Sequence, residues 1–242
     1  MTRPKFYLFG DSITEDSFNL GGWGASLANY FSRTADVVLR GYGGYNTRWA
    51  LKVLDRVFPF SHGGDAGTLT APIALTVFFG ANDACLPNRC SGFQNVPLHE
   101  YKDNLRSIVS FFKKRWPTTH VILITPPPID EDARLRYPYV DNPEGLPERT
   151  NEAAGEYAKA CIAVATECQI PFIDLWTEMQ RFPHWRKVYL SDGLHLTNEG
   201  NQLVFHEIIR KLREGGLNIE SMPVDLPLIG DIDPNDPMKA FL

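Results

Sequence analysis

The chain has little of what a membrane, a nucleic acid or an oxidising compartment would require. No apolar run in its 242 residues approaches the roughly 18 that a membrane span needs. Lysine and arginine number 24 against 29 acidic residues, a net charge of −5, and no basic run is of the kind that tracks a phosphate backbone. Nucleic acid is therefore not an expected partner. The start, Met-Thr-Arg-Pro-Lys, enters a strand-like run at once and lacks the apolar core and small-residue cleavage site of a signal peptide. A cytoplasmic location is the expectation.

Cysteine is scarce, with four in all. Cys161 and Cys168 fall on an apolar helical stripe with Ala154, Ala158 and Ala165, which reads as buried thiols. Cys85 and Cys90 flank a loop, where a reducing compartment argues against pairing. Their spacing matches no zinc motif and no pair of histidines sits nearby, so neither metal nor cofactor is expected.

What the chain does have is alternation. Apolar residues make up 43% of it, and short β-rich runs alternate with amphipathic helical stretches, as in a parallel α/β sheet. The predicted strands are 5–9, 36–40, 73–79, 120–125 and 170–173, each nearly continuous in apolar residues, as strands covered on both faces are. Predicted helices with i, i+3, i+4 stripes are 23–31, 47–57, 98–116, 151–168 and 197–212. Two connections are long. Residues 58–72 are glycine-rich, and 126–150 open on three prolines; loops of this length carry function or cover something. The segment after Gly215 has prolines at 223, 227, 234 and 237, and its Leu226, Leu228, Ile229 and Phe241 suggest an extended tail docked on the same domain.

Four segments at predicted strand ends carry chemistry. Ser12, in Phe9-Gly10-Asp11-Ser12-Ile13-Thr14, follows the first strand, where side chains reach the ligand crevice of a parallel sheet. Ser12-Ile13-Thr14-Glu15 also matches the S-x-x-E capping box, so Ser12 reads equally as a helix cap; the two roles are compatible. The surroundings are not the Gly-x-Ser-x-Gly elbow, because Thr14 replaces the second glycine. His195 is the strongest candidate base of six histidines, because Asp192 stands three residues earlier across a glycine. Asp192 can accept from one imidazole nitrogen, fixing the tautomer, while the other faces Ser12. Its alternative role is an Asx turn, common for Asp before Gly. The segment 41–47 contains Gly41, Gly43 and Gly44, where the backbone can bring an N–H close to substrate, but a dinucleotide reading lacks the third glycine at the right offset. Asn82, in Gly80-Ala81-Asn82-Asp83, can present an amide donor to developing negative charge. Nucleophile, base, acid and oxyanion donors together fit acyl transfer through a serine.

The four blocks Gly10-Asp11-Ser12-Ile13, 41–47, Gly80-Ala81-Asn82-Asp83 and Asp192-Gly193-Leu194-His195 resemble, in order, those of the GDSL or SGNH hydrolases. Ile13 stands where the family name has leucine. Residues 44–51 and 78–87 resemble the isoamyl acetate-hydrolysing esterase-like subgroup, in particular its plant members. The resemblance implies a flavodoxin-like three-layer α/β/α fold on a five-stranded parallel sheet. It implies an SGNH hydrolase domain over residues 1–216 with the tail over 217–242. It assigns Ser12 as nucleophile, His195 as base and Asp192 as acid. The Ser12 and Gly44 amides and the Asn82 side chain would form the oxyanion hole, with Gly43 the alternative to Gly44. Trp23, Trp49, Phe79 and Leu86 lie near these blocks and are candidate substrate-pocket residues, with core packing as the alternative. The implied activity is hydrolysis of small-molecule esters, first of all short acyl esters such as acetates. A sugar O-deacetylase and a lipid esterase are the near alternatives. From other classes, a non-catalytic binding protein on the same fold and a flavin- or nucleotide-binding protein are kept. Nothing in the sequence sets the oligomeric state.

Overall fold

The computed structural model describes residues 3–59, 71–138 and 140–241. Most of the glycine-rich connection 58–72 lies outside the described residues, as does Tyr139. Among the described residues one parallel sheet contains β1 (Lys5–Gly10), β2 (Asp36–Gly41), β3 (Ala74–Phe78), β4 (His120–Ile124) and β5 (Phe172–Ile173), in the order β2-β1-β3-β4-β5. This is the flavodoxin-like order. The chain leaves β1 to one side for β2 and returns on the other side as β3, so a crevice opens at the carboxyl ends of β1 and β3.

Nine α-helices flank or cap this sheet among the described residues: α1 (Ser12–Glu15), α2 (Trp23–Tyr30), α3 (Thr47–Val57), α4 (Leu98–Arg115), α5 (Glu131–Arg136), α6 (Asn151–Glu167), α7 (Leu175–Gln180), α8 (Trp185–Tyr189) and α9 (Asn198–Glu214). Alternation along β1 fixes the layers. Phe6 and Leu8 join a core with Trp23 and Leu27 of α2 and Val204 and Ile208 of α9. Tyr7 and Phe9 point the other way, into a core with Ala50 and Leu54 of α3, Leu105 and Phe112 of α4 and Val164 of α6. Each such Phe, Leu, Ile or Val side chain contributes about 1.5–3 kcal/mol by leaving water. The scaffold is thus held by residues that take no part in chemistry.

The fifth strand is shorter than its apolar run predicts. Only Phe172 and Ile173 pair with β4. Pro171 has no N–H to donate, and Gln169 turns the chain at φ +53°, so the run before Phe172 serves as a turn. The tail also departs from expectation. Leu226, Leu228, Ile229 and Phe241 are exposed. The start of the tail meets the core through Leu217, Ile219 and Met222, and further along polar contacts hold it: Asp225 accepts from Arg3 Nε at 2.6 Å and Arg33 Nε at 3.0 Å, and Arg33 donates to the Leu226 carbonyl at 2.8 Å. All four cysteines are free; Cys85 and Cys161 are buried, whereas Cys90 and Cys168 are only partly covered.

Candidate active site

Ser12 sits two residues beyond the end of β1, in the first turn of α1. The capping box predicted for it does not form. Asp11 is the N-cap, and its Oδ1 accepts from the Ile13 amide at 3.0 Å. Glu15 turns away to accept from the Gly43 amide at 2.5 Å. The Ser12 hydroxyl is therefore not spent on the helix, and its Oγ lies 3.0 Å from His195 Nε2. Trp23 props the turn from beneath, donating its indole N–H to the Ile13 carbonyl at 3.1 Å.

His195 and Asp192 share a tight loop between α8 and α9. His195 Nδ1 lies 2.8 Å from Asp192 Oδ2. Asp192 Oδ1 accepts from the backbone amides of Leu194 at 3.0 Å and His195 at 2.8 Å, so the Asx turn and the imidazole contact are made by one carboxylate. Gly193 is required for this. Its φ is +90°, and a Cβ there would come within 2.5 Å of the Asp130 carbonyl. Burial opposes the charge on Asp192. The hydrogen bonds from His195 and the nearby Arg134 guanidinium outweigh it and hold the carboxyl well below the usual carboxylate range.

The glycine-rich segment after β2 and the turn after β3 close the other side. Gly44 has φ +76°, which glycine adopts without strain. Its amide and that of Ser12 have no acceptor among the described residues, whereas the Gly43 amide is taken by Glu15. This distinguishes the two glycines the sequence left open: Gly44 has the free donor. Asn82 donates from Nδ2 to the Tyr45 carbonyl at 2.8 Å and accepts on Oδ1 from Arg149 Nη2 at 3.0 Å, leaving its second amide hydrogen unassigned. Ser12, Gly44, Asn82 and His195 line one cavity of about 300 Å³.

Trp23, Trp49, Phe79 and Leu86 do not line that cavity. Trp23 and Phe79 are core residues, Phe79 meeting Phe9 edge-on at 4.8 Å between ring centroids. Trp49 packs on Tyr45 and Phe93, and Leu86 is half-buried, its amide bonded to the Glu148 carbonyl. Proximity in sequence does not set direction here, because neighbouring positions alternate across a strand and turn by about 100° around a helix. The residues in their place are polar: Glu15, Gln94, Arg134 and Arg149, with Leu194 the one wholly apolar side chain lining the cavity among the described residues. Arg134 and Arg149 come from the connection 126–150. Its length was the only signal for them, since nothing in the pattern singles out those two arginines.

Asp83, beside Asn82, is buried beneath the site. Burial pushes its carboxyl up to about 7, against the hydrogen bonds from the Thr47 amide and hydroxyl. A pKa raised above the unfolded value of about 3.9 means that the folded state holds this proton more tightly. The stability so contributed is complete below about pH 4 and lost as pH rises through 7. Thermal melts from pH 4 to 8 are expected to show this decline in the wild type and a flatter profile in Asp83→Asn.

A hydroxyl, an imidazole and a carboxylate in hydrogen-bonded series, facing free N–H donors across a cavity, form the arrangement of a serine hydrolase. The family model described as GDSL-like lipase/acylhydrolase matches residues 6–208, and the chain belongs to that family. It is 67% identical over 243 residues to a GDSL esterase/lipase of Arabidopsis thaliana, covering 100% of this chain and 99% of the relative. It is 41% identical over 240 residues to an isoamyl acetate-hydrolyzing esterase 1 homolog of Homo sapiens, covering 99% and 92%. Among solved structures, a lipase/acylhydrolase from Enterococcus faecalis superposes with a TM-score of 0.68 at 25% identity, covering 93% of this chain and 100% of that one. The protein is a carboxylic ester hydrolase.

Proposed function

We propose that the protein hydrolyses short-chain acyl esters, acetates first, through an acyl-enzyme on Ser12. His195 Nε2 takes the Ser12 proton as Oγ attacks the ester carbonyl, and Asp192 steadies the imidazolium. The Ser12 and Gly44 amides and the second Asn82 amide hydrogen receive the developing oxyanion. His195 then returns the proton to the departing alcohol, and water releases the acid by the same steps.

The observation that carries the acyl preference is the cavity wall. Beyond the oxyanion donors it is built from Gln94, Arg134 and Arg149, with only Leu194 apolar among the described residues. Gln94, Arg134 and Arg149 are held by their own hydrogen bonds, so a long acyl chain would find only Leu194 to lie against and would gain little of the about 0.8 kcal/mol per CH₂ that an apolar wall gives. An acetyl methyl needs only Leu194. In a series of p-nitrophenyl esters, kcat/KM is expected to be highest for acetate or propionate and to fall by about tenfold or more by octanoate. A maximum at octanoate or beyond would reverse this reading in favour of a lipid esterase.

One observation favours a polar alcohol as a second reading. A cavity of about 190 Å³ flanks His195, lined by Asp16, Asn19, Asn198 and Asn201 among others. Such a lining suits the hydroxyls of an acetylated sugar better than an alkyl alcohol.

A further inference from the structure

The connection 126–150 brings three charged residues to the back of the cavity, and all three are almost fully buried. Arg134 Nη1 donates to Asp192 Oδ2 at 2.8 Å, the oxygen that also faces His195 Nδ1. Arg134 Nε and Nη2 both donate to Glu148 Oε1, at 2.9 and 2.7 Å. The same Oε1 receives Arg149 Nη1 at 2.8 Å. Arg149 then divides its remaining donors. Nη2 goes to Asn82 Oδ1 at 3.0 Å and to Gln94 Oε1 at 2.9 Å, and Nε goes to the Ala81 carbonyl at 3.0 Å. Gln94 in turn donates from Nε2 to the Gly44 carbonyl at 2.9 Å.

We propose that Arg134, Glu148 and Arg149 act as one positioning relay, which sets the Asp192 carboxylate at one end and the Asn82 amide and Gly44 loop at the other. The proposal rests on the Ser12 reading above.

Two physical arguments support it. The first concerns direction. With Arg149 on its Oδ1, Asn82 has its NH₂ turned toward Tyr45 and the cavity, because a flipped amide would press NH₂ against a guanidinium. Arg134 likewise pins the oxygen of Asp192 that orients the imidazole. The second concerns energy. Taking each of these charges out of water costs several kcal/mol, and well-packed apolar side chains in their place are often neutral or stabilising. Stability alone is therefore a weak reason for a charged chain here. Preorganised placement of groups that meet charge in the transition state is a sufficient one.

The test compares Arg134→Lys, Arg134→Gln and Arg149→Lys with the wild type on p-nitrophenyl acetate, with active sites titrated by a fluorophosphonate. Arg149→Lys is expected to lower kcat on the order of 100-fold, a cost typical of misplaced groups, while KM stays within a few-fold. Arg134→Gln is expected to move the acid limb of kcat/KM to higher pH. Losing the Arg134 cation beside the Asp192–His195 pair favours the protonated pair, while Asp11 near His195, its carboxyl pushed up to about 7 by burial, and Arg149 are the same in wild type and variant. Glu15, across the cavity, is unchanged in all variants. Arg134→Lys retains the charge and is expected to restore the limb while kcat stays low. Both lysine variants keep the site's charge balance, so they remain informative if Arg134→Gln does not fold. The relay is overturned if active-site-normalised kcat and the acid limb match the wild type in all folded variants, with only melting temperature lowered. Failure of the fluorophosphonate to label Ser12 in the wild type would overturn the Ser12 reading itself, a separate outcome.

Discussion

Ser12→Ala is expected to lower kcat for acetate esters by on the order of 10⁶-fold, the scale seen when a serine nucleophile is removed, and to leave thermal stability almost unchanged. The second half of that expectation follows from the geometry of α1. A serine that capped the helix would cost about 1 kcal/mol on replacement by alanine. Here Asp11 performs the capping, and the Ser12 hydroxyl is committed to His195 instead. Loss of that contact touches a part-buried pair and no core packing, so a change within about 0.5 kcal/mol is expected. Melting curves together with turnover of p-nitrophenyl acetate check both halves. A stable variant that retains turnover would remove Ser12 from the mechanism.

Asp192→Asn is expected to lower kcat by about 10⁴-fold, the cost of leaving the imidazole in the wrong tautomer. The structure adds a reason specific to this loop. Each oxygen of Asp192 has two donors: the Leu194 and His195 amides on Oδ1, and Arg134 with His195 Nδ1 on Oδ2. Asparagine has one acceptor oxygen. Turned one way, its NH₂ meets two backbone N–H groups; turned the other, it meets a guanidinium. Part of the loss is therefore expected as a change in loop order, visible as a lowered melting temperature. In the wild type, Asp192 is held as a carboxylate far below neutral pH. The acid limb of the rate profile is accordingly expected to report the base and not this acid. Steady-state kinetics across pH checks it, and a wild-type-like kcat in Asp192→Asn would contradict the assigned role.

Much of the scaffold could be read from the chain because its signals are local. Continuous apolar runs at β1, β3 and β4 and regular stripes on α3, α4 and α6 need no tertiary information. The same holds for the relation of Asp192 to His195, which a three-residue turn creates. Features that depend on distant partners were not legible. Whether Ser12 or Asp11 caps α1 is decided by His195, 183 residues away. Whether Trp23 faces the core or the cavity depends on how α2 rolls against β1 and α9. Arg134, Glu148 and Arg149 lie in a connection with no periodicity, and their roles arise only when that segment folds back over the sheet edge. In the tail, the apolar residues that suggested docking are exposed, while Leu217, Ile219 and Met222 meet the core and Asp225 sits between two arginines.

The measurement that bears most directly on the acyl-enzyme account is peptide-level mass spectrometry after rapid acid quench of the enzyme turning over p-nitrophenyl acetate. The account predicts a transient acetyl group on the peptide containing Ser12, localised to that side chain and missing from Ser12→Ala. An acetyl group on another residue, or equal acetylation of the Ser12→Ala protein with turnover intact, would contradict it.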